Sequence, residues 1–124
     1  MSYHVERPQF EHLAEEALKS IPKKYLRNLR NLTVLVEDQP GDEDAESVGV
    51  RKDHLLGLFK GTGYAGAGFF DIPAALPDSI ILYQKNIEAI CGSERELVEE
   101  IRITIVHEVG HYFGLSDGEL AQYE

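Results

Sequence analysis

Apolar residues recur at helical spacing near both ends of the chain and gather into short runs between them. Across residues 8–21, Phe10, Leu13, Ala14, Ala17, Leu18 and Ile21 fall three or four apart, which predicts an amphipathic helix. Pro8 suits its first turn, where the missing amide hydrogen costs nothing, and Pro22 interrupts it. Lys23 to Arg30 could add a further helical turn or two. Thr33-Val34-Leu35-Val36-Glu37 is rich in β-branched residues and predicts a strand. A second strand is expected near Leu55 to Lys60, and a third at Ser79 to Tyr83 after the turn signal Leu76-Pro77-Asp78. The acidic, Gly- and Pro-bearing segment Asp38 to Ser47 reads as a solvated loop. So does the glycine-rich stretch Gly61 to Gly68, as a flexible connection.

The last helix has the clearest start. Ser93 and Glu96 form the pattern S-x-x-E, a capping box that satisfies two amides left open at a helix beginning. Leu97, Val98, Ile101, Ile105, Val106 and Val109 then place apolar residues around much of the circumference, as in a buried helix. Gly114 is well placed as the left-handed residue that stops it.

That helix carries His107-Glu108-Val109-Gly110-His111, followed by Gly114 and Asp117, or H-E-x-x-H-x-x-G-x-x-D. Residues four apart share a helix face, so the imidazoles of His107 and His111 can grip one metal ion. Glu108, beside the first of them, can take a proton from a water on that ion. Catalytic zinc usually takes three protein ligands. Once Gly114 has turned the chain, Asp117 is the nearest oxygen donor, with Glu119 next; His4, His12 and His54 stay open as distant alternatives. A bare H-E-x-x-H is short enough to arise by chance. Its place on an apolar helix, ahead of a glycine and an acid, speaks against two solvated histidines on a surface helix.

Charge and composition narrow the partners. The 124 residues suffice for one domain, residues 1–124, with a single core. A net charge of −10 with scattered Lys and Arg argues against nucleic acid and against an anionic membrane surface. No run is long and apolar enough to span a bilayer, and Met1 to Phe10 lacks a signal-peptide core. Cys91, the only cysteine, fits a reducing compartment, so a cytoplasmic protein is expected.

The chain resembles the zincin-like minimal metallopeptidases, short bacterial proteins with H-E-x-x-H-x-x-G-x-x-D near the C-terminus. Beyond the motif, Phe10 to Pro22, Leu32 to Asp38, Leu76 to Tyr83 and Ile101 to Glu108 look like that family's segments in the family's order. The resemblance implies a small α+β domain, its short β-sheet packed against an N-terminal helix and a C-terminal metal-bearing helix. It further implies one zinc per chain on His107, His111 and Asp117, with Glu108 as the catalytic carboxylate. The glycine pattern is shared with metzincins, but the only methionine is Met1, so there is no Met-turn. With seven residues after Asp117, the expected site is one half of the usual cleft.

The expected reaction is peptide hydrolysis, with the substrate, a peptide or protein, added as a strand along a sheet edge at residues 79–83. Tyr112, Tyr123 and the amides of the glycine-rich loop are candidates to stabilise the oxyanion. The alternative is a metal-binding regulatory or interaction module with little hydrolytic activity. Glu108 speaks for the enzyme, since a purely structural metal site has no need of it. Other features read plainly. Asp42 to Glu46 lacks the spacing of a calcium loop, the glycines at 61–68 lack a phosphate-binding lysine, Cys91 suits a buried position and His54 the surface.

Overall fold

The computed structural model describes residues 2–21, 32–60 and 78–112, with 111 and 112 as helical backbone alone. The first helix, α1, spans Arg7–Ser20 with proline in its first turn. It turns Phe10, Leu13, Ala14 and Ala17 inward, with Leu18 half-buried beside them, as the sequence periodicity requires. Three strands follow: β1 at Thr33–Glu37, β2 at Gly57–Lys60 and β3 at Ser79–Tyr83. Their order in the sheet is β1-β3-β2. β1 runs parallel to β3 with Leu35 opposite Ile81, and β2 runs antiparallel with Leu58 opposite that same residue.

Strand side chains alternate between faces. Ile80 and Leu82 enter the main core with Phe10 and Leu13 of α1. Ile81 and Tyr83 turn to the other face, where they cluster with Leu55 and half-buried Leu58. The longest helix, α4 at Glu94–Tyr112, closes the main core with Leu97, Ile101, Ile105, Val106 and Val109. Its 19 residues extend about 28 Å at 1.5 Å per residue. Thus α1 and α4 cover one face of the sheet and pack on each other. The α+β class, the three strands and the buried last helix agree with the sequence reading.

The start of α4 is capped much as its sequence indicates. The Glu96 amide donates to Ser93 Oγ at 3.2 Å, while Glu96 Oε1 accepts from the Gly92 amide at 2.8 Å, one residue earlier than a capping box uses.

Two expectations need correction. The segment read as a loop from Asp38 to Ser47 contains a helix, α2, at Asp42–Val48. Its acids Asp42, Glu43 and Asp44 occupy the first turn, where the helix dipole favours negative charge. Ala45 is buried, and Gly49 closes the helix in the left-handed conformation at φ 69°. Composition suggested solvent, but the order of charges encoded a short helix. β3, proposed as the substrate-facing edge, is instead the central strand, hydrogen-bonded on both sides. Its run of buried residues is the mark of a strand covered on both faces. A further short helix, α3 at Gln84–Ala89, follows β3 directly.

Buried polar bonds fasten the chain start to α3. Glu88 Oε2 accepts from the Val5 amide at 2.9 Å and from Gln84 Nε2 at 3.0 Å, and Oε1 lies 3.1 Å from His4 Nδ1. Arg7 donates to Gln84 Oε1 at 2.9 Å, to the Val36 carbonyl at 2.9 Å and to Asp38 Oδ1 at 2.7 Å. No helix among the described residues is long and apolar enough to cross a membrane.

Candidate active site

α4 positions the motif because its apolar residues anchor it against the sheet up to Val109. His107 is half-buried, and its Nδ1 lies 3.2 Å from the Ile103 carbonyl one turn earlier. A carbonyl only accepts, so this contact requires the proton on Nδ1, and in the neutral ring the lone pair then falls on Nε2. This is the tautomer and ring support that a metal-ligating histidine needs. His111 follows four residues later on the same helix.

Glu108 meets the sheet. Its Oε1 accepts a hydrogen bond from the Phe59 amide at 3.3 Å. Tyr83 donates its amide to the Leu56 carbonyl at 3.0 Å, which fixes the alternation of the antiparallel pair. Leu58 then faces β3, while Gly57 and Phe59 turn their backbone groups outward. Glu108 therefore stands at the outer edge of β2, an edge strand among the described residues.

Gly57 makes that approach possible. A Cβ built on it would lie 2.7 Å from Thr104 Cγ2, 3.1 Å from the Ile81 carbonyl and 3.7 Å from Glu108 Cγ. From Gly57 to Phe59 the strand advances about 6.6 Å, and from Thr104 to Glu108 the helix advances about 6.0 Å. Strand and helix thus keep step over two contacts. Sequence reasoning passed over both Gly57 and Phe59. The available signal was a glycine inside a predicted strand, which marks close backbone approach.

Other expected site residues lie outside the described residues: Asp117, Glu119, Gly114 and Tyr123, the side chains of His111 and Tyr112, and the loop Gly61 to Gly68. The distant histidines have other neighbours. His4 sits against Glu88, His12 lies 3.8 Å from Glu16, and exposed His54 lies 3.9 Å from Asp53. Among the described residues no three His, Cys, Asp or Glu side chains gather as a metal site. The two described members of the motif nevertheless fit a metal centre, His107 by its tautomer and Glu108 by its held carboxylate.

Two buried groups elsewhere titrate late. Burial, then the nearby charges of Asp44, Glu37 and Glu108, pushes the Tyr83 hydroxyl up to about 12. That hydroxyl is buried without a hydrogen-bond partner among the described residues. Burial, then Glu100, Glu96 and Glu88, pushes the Cys91 thiol up to about 11, as suits an inert structural cysteine.

A small α+β domain whose longest helix presents H-E-x-x-H, with the glutamate at a sheet edge, has the zincin-like fold. The family model described as zincin-like metallopeptidase matches residues 29–124, and the chain belongs to that family. Among solved structures, the chain is similar to a conserved hypothetical protein from Thermus thermophilus. The two are 23% identical with a TM-score of 0.59, over 96% of this chain and 100% of that one. At that identity the likeness supports the fold. No curated protein matches.

Proposed function

We propose that this protein is a zinc-dependent peptidase in which His107, His111 and Asp117 hold the metal and Glu108 is the general base. The observation that carries the reading is the place of Glu108: on the motif helix, beside His107, with its carboxylate at the outer edge of β2. That edge is where an extended peptide can add as a further strand, pairing with the outward backbone groups of Gly57 and the Phe59 carbonyl, since the Phe59 amide is taken by Glu108. The substrate edge is thus β2, in place of residues 79–83.

Bound zinc supplies Lewis acidity, which polarises a carbonyl and makes water acidic enough to lose a proton near neutral pH. His107 contributes Nε2, its ring held by the bond from Nδ1 to Ile103. Glu108 takes the proton from the attacking water and returns it to the leaving nitrogen. The Phe59 amide restrains the rotation of that carboxylate through Oε1. Glu119 is the alternative to Asp117 as third ligand. The net charge of −10 disfavours nucleic acid as partner, and the lone, buried Cys91 suits a reducing, cytoplasmic setting.

The test measures metal content and peptide-library cleavage for the wild type and Glu108→Gln. The expected result is one zinc per chain in both proteins and cleavage by the wild type alone. Metal-free wild-type protein would overturn the ligand set. Zinc without cleavage would replace the peptidase with a metal-binding module.

A further inference from the structure

We propose that Gly57 is a positioning residue for the general base. Its missing side chain lets α4 dock close enough to β2 for the Phe59 amide to hold the Glu108 carboxylate. The inference rests on the reading of Glu108 given above. It adds a residue outside the motif on which the placement of that carboxylate depends.

Carbon atoms in ordinary contact lie about 3.5–4.0 Å apart. A methyl group on Gly57 would stand 2.7 Å from Thr104 Cγ2 and 3.1 Å from the Ile81 carbonyl. The carbonyl belongs to the central strand and has little freedom to yield. Helix and strand must then separate by about 1 Å, or Thr104 must rotate. Rotation is hindered because Thr104 is buried and β-branched, and its Oγ1 lies 3.4 Å from Glu100 Oε2. The bond from Phe59 to Glu108 is already long at 3.3 Å, so a separation of that size breaks it. The contact at Gly57 therefore governs the contact at Glu108 one helical turn further on.

The experiment compares the wild type with Gly57→Ala, Thr104→Ser and Gly57→Ala/Thr104→Ser. Serine deletes the methyl that the new side chain would meet and keeps the hydroxyl. Each protein is titrated with zinc alone, assayed on a peptide selected from the library, and followed at the Phe59 amide by NMR. A misplacement of about 1 Å at a reacting group costs on the order of 10²-fold. Gly57→Ala is expected to lose kcat on that scale, with KM and zinc affinity changed less than about threefold. Its Phe59 amide resonance is expected to shift towards its position in Glu108→Ala. The double variant is expected to recover most of both losses.

An unchanged kcat and an unchanged Phe59 amide in Gly57→Ala would overturn the inference. So would a double variant that regains its stability but not its kcat or its amide signal. If Gly57→Ala does not fold, the double variant decides by the same two signals. Full activity in Glu108→Gln would sink the proposed base instead, while the amide readout would still decide whether Gly57 sets that contact.

Discussion

At the outer edge of β1 the Val36 carbonyl points away from β3 and accepts from Arg7. The same guanidinium is fixed by Gln84, 4% exposed, and by Asp38, so three acceptors on three parts of the chain hold one side chain. At the outer edge of β2 the Phe59 amide points outward and donates to Glu108, half-buried, across a longer distance. One edge is closed by a cation belonging to the scaffold, while the other meets the carboxylate of the proposed general base. A sheet edge invites pairing with any extended chain, and proteins close the edges they do not use. The contrast separates a scaffold edge from the proposed site edge: a 2.9 Å bond from an anchored guanidinium at β1, and a 3.3 Å bond to the motif carboxylate at β2.

The largest expected effect comes from breaking the second edge. Glu108→Gln should lower the rate by about 10²–10⁴-fold, the usual contribution of a general base. The melting temperature should stay near that of the wild type, as calorimetry on the zinc-loaded protein would check. Arg7→Ala should do the reverse. Its loss strands the buried Gln84 oxygen and costs about 2 kcal/mol in chemical denaturation, with kcat per folded molecule unchanged. The exposed pair with Asp38 contributes little of this. If Arg7→Ala lost rate and Glu108→Gln lost stability, the division between scaffold edge and site edge would fail.

Between the edges, the central strand carries a polar group with no hydrogen-bond partner among the described residues, the Tyr83 hydroxyl. Tyr83→Phe should stabilise the protein by about 1 kcal/mol, because the buried hydroxyl was desolvated without compensation. The pH dependence has a definite sign. The phenol is neutral when protonated, and its pKa is raised on folding from 10.0 to about 12. Between those values the folded state keeps a proton that the unfolded chain has lost. Its contribution is therefore fully present below about pH 10 and is lost as pH rises through 12. Cys91 adds the same trend from 9.0 to about 11. Urea titrations at increasing alkalinity should show stability falling through this window, less steeply in Tyr83→Phe. An equal slope in that variant would remove Tyr83 from the account.

The smallest expected effect lies at the beginning of α4. Ser93→Ala removes the acceptor for the Glu96 amide and should cost about 0.5–1 kcal/mol, with zinc affinity and rate unchanged. A change in rate would mean that the start of the helix is coupled to the turn that carries the motif.

Much of this was legible in the sequence because it is local. Periodicity placed α1 and α4, β-branched composition placed β1, the turn signal Leu76-Pro77-Asp78 placed β3, and Ser93 with Glu96 marked the start of α4. The spacing of His107, Glu108 and His111 follows from helix geometry alone, so the candidate chemistry could be named without a fold. The helix α2 was missed because its acids were weighed as composition, although their position in the first turn favours a helix.

The sequence by itself determined the main helical and strand segments and the residue types of the proposed metal site. Only the tertiary structure decided that β3 lies at the centre of the sheet and that β2 is the edge beside Glu108. It also decided that Gly57 lets strand and helix meet there. The physical reason is that capping and periodicity act within a few residues along the chain. Strand order and the distance between a helix and a sheet edge depend instead on contacts between residues about 50 positions apart, as Phe59 and Glu108 are.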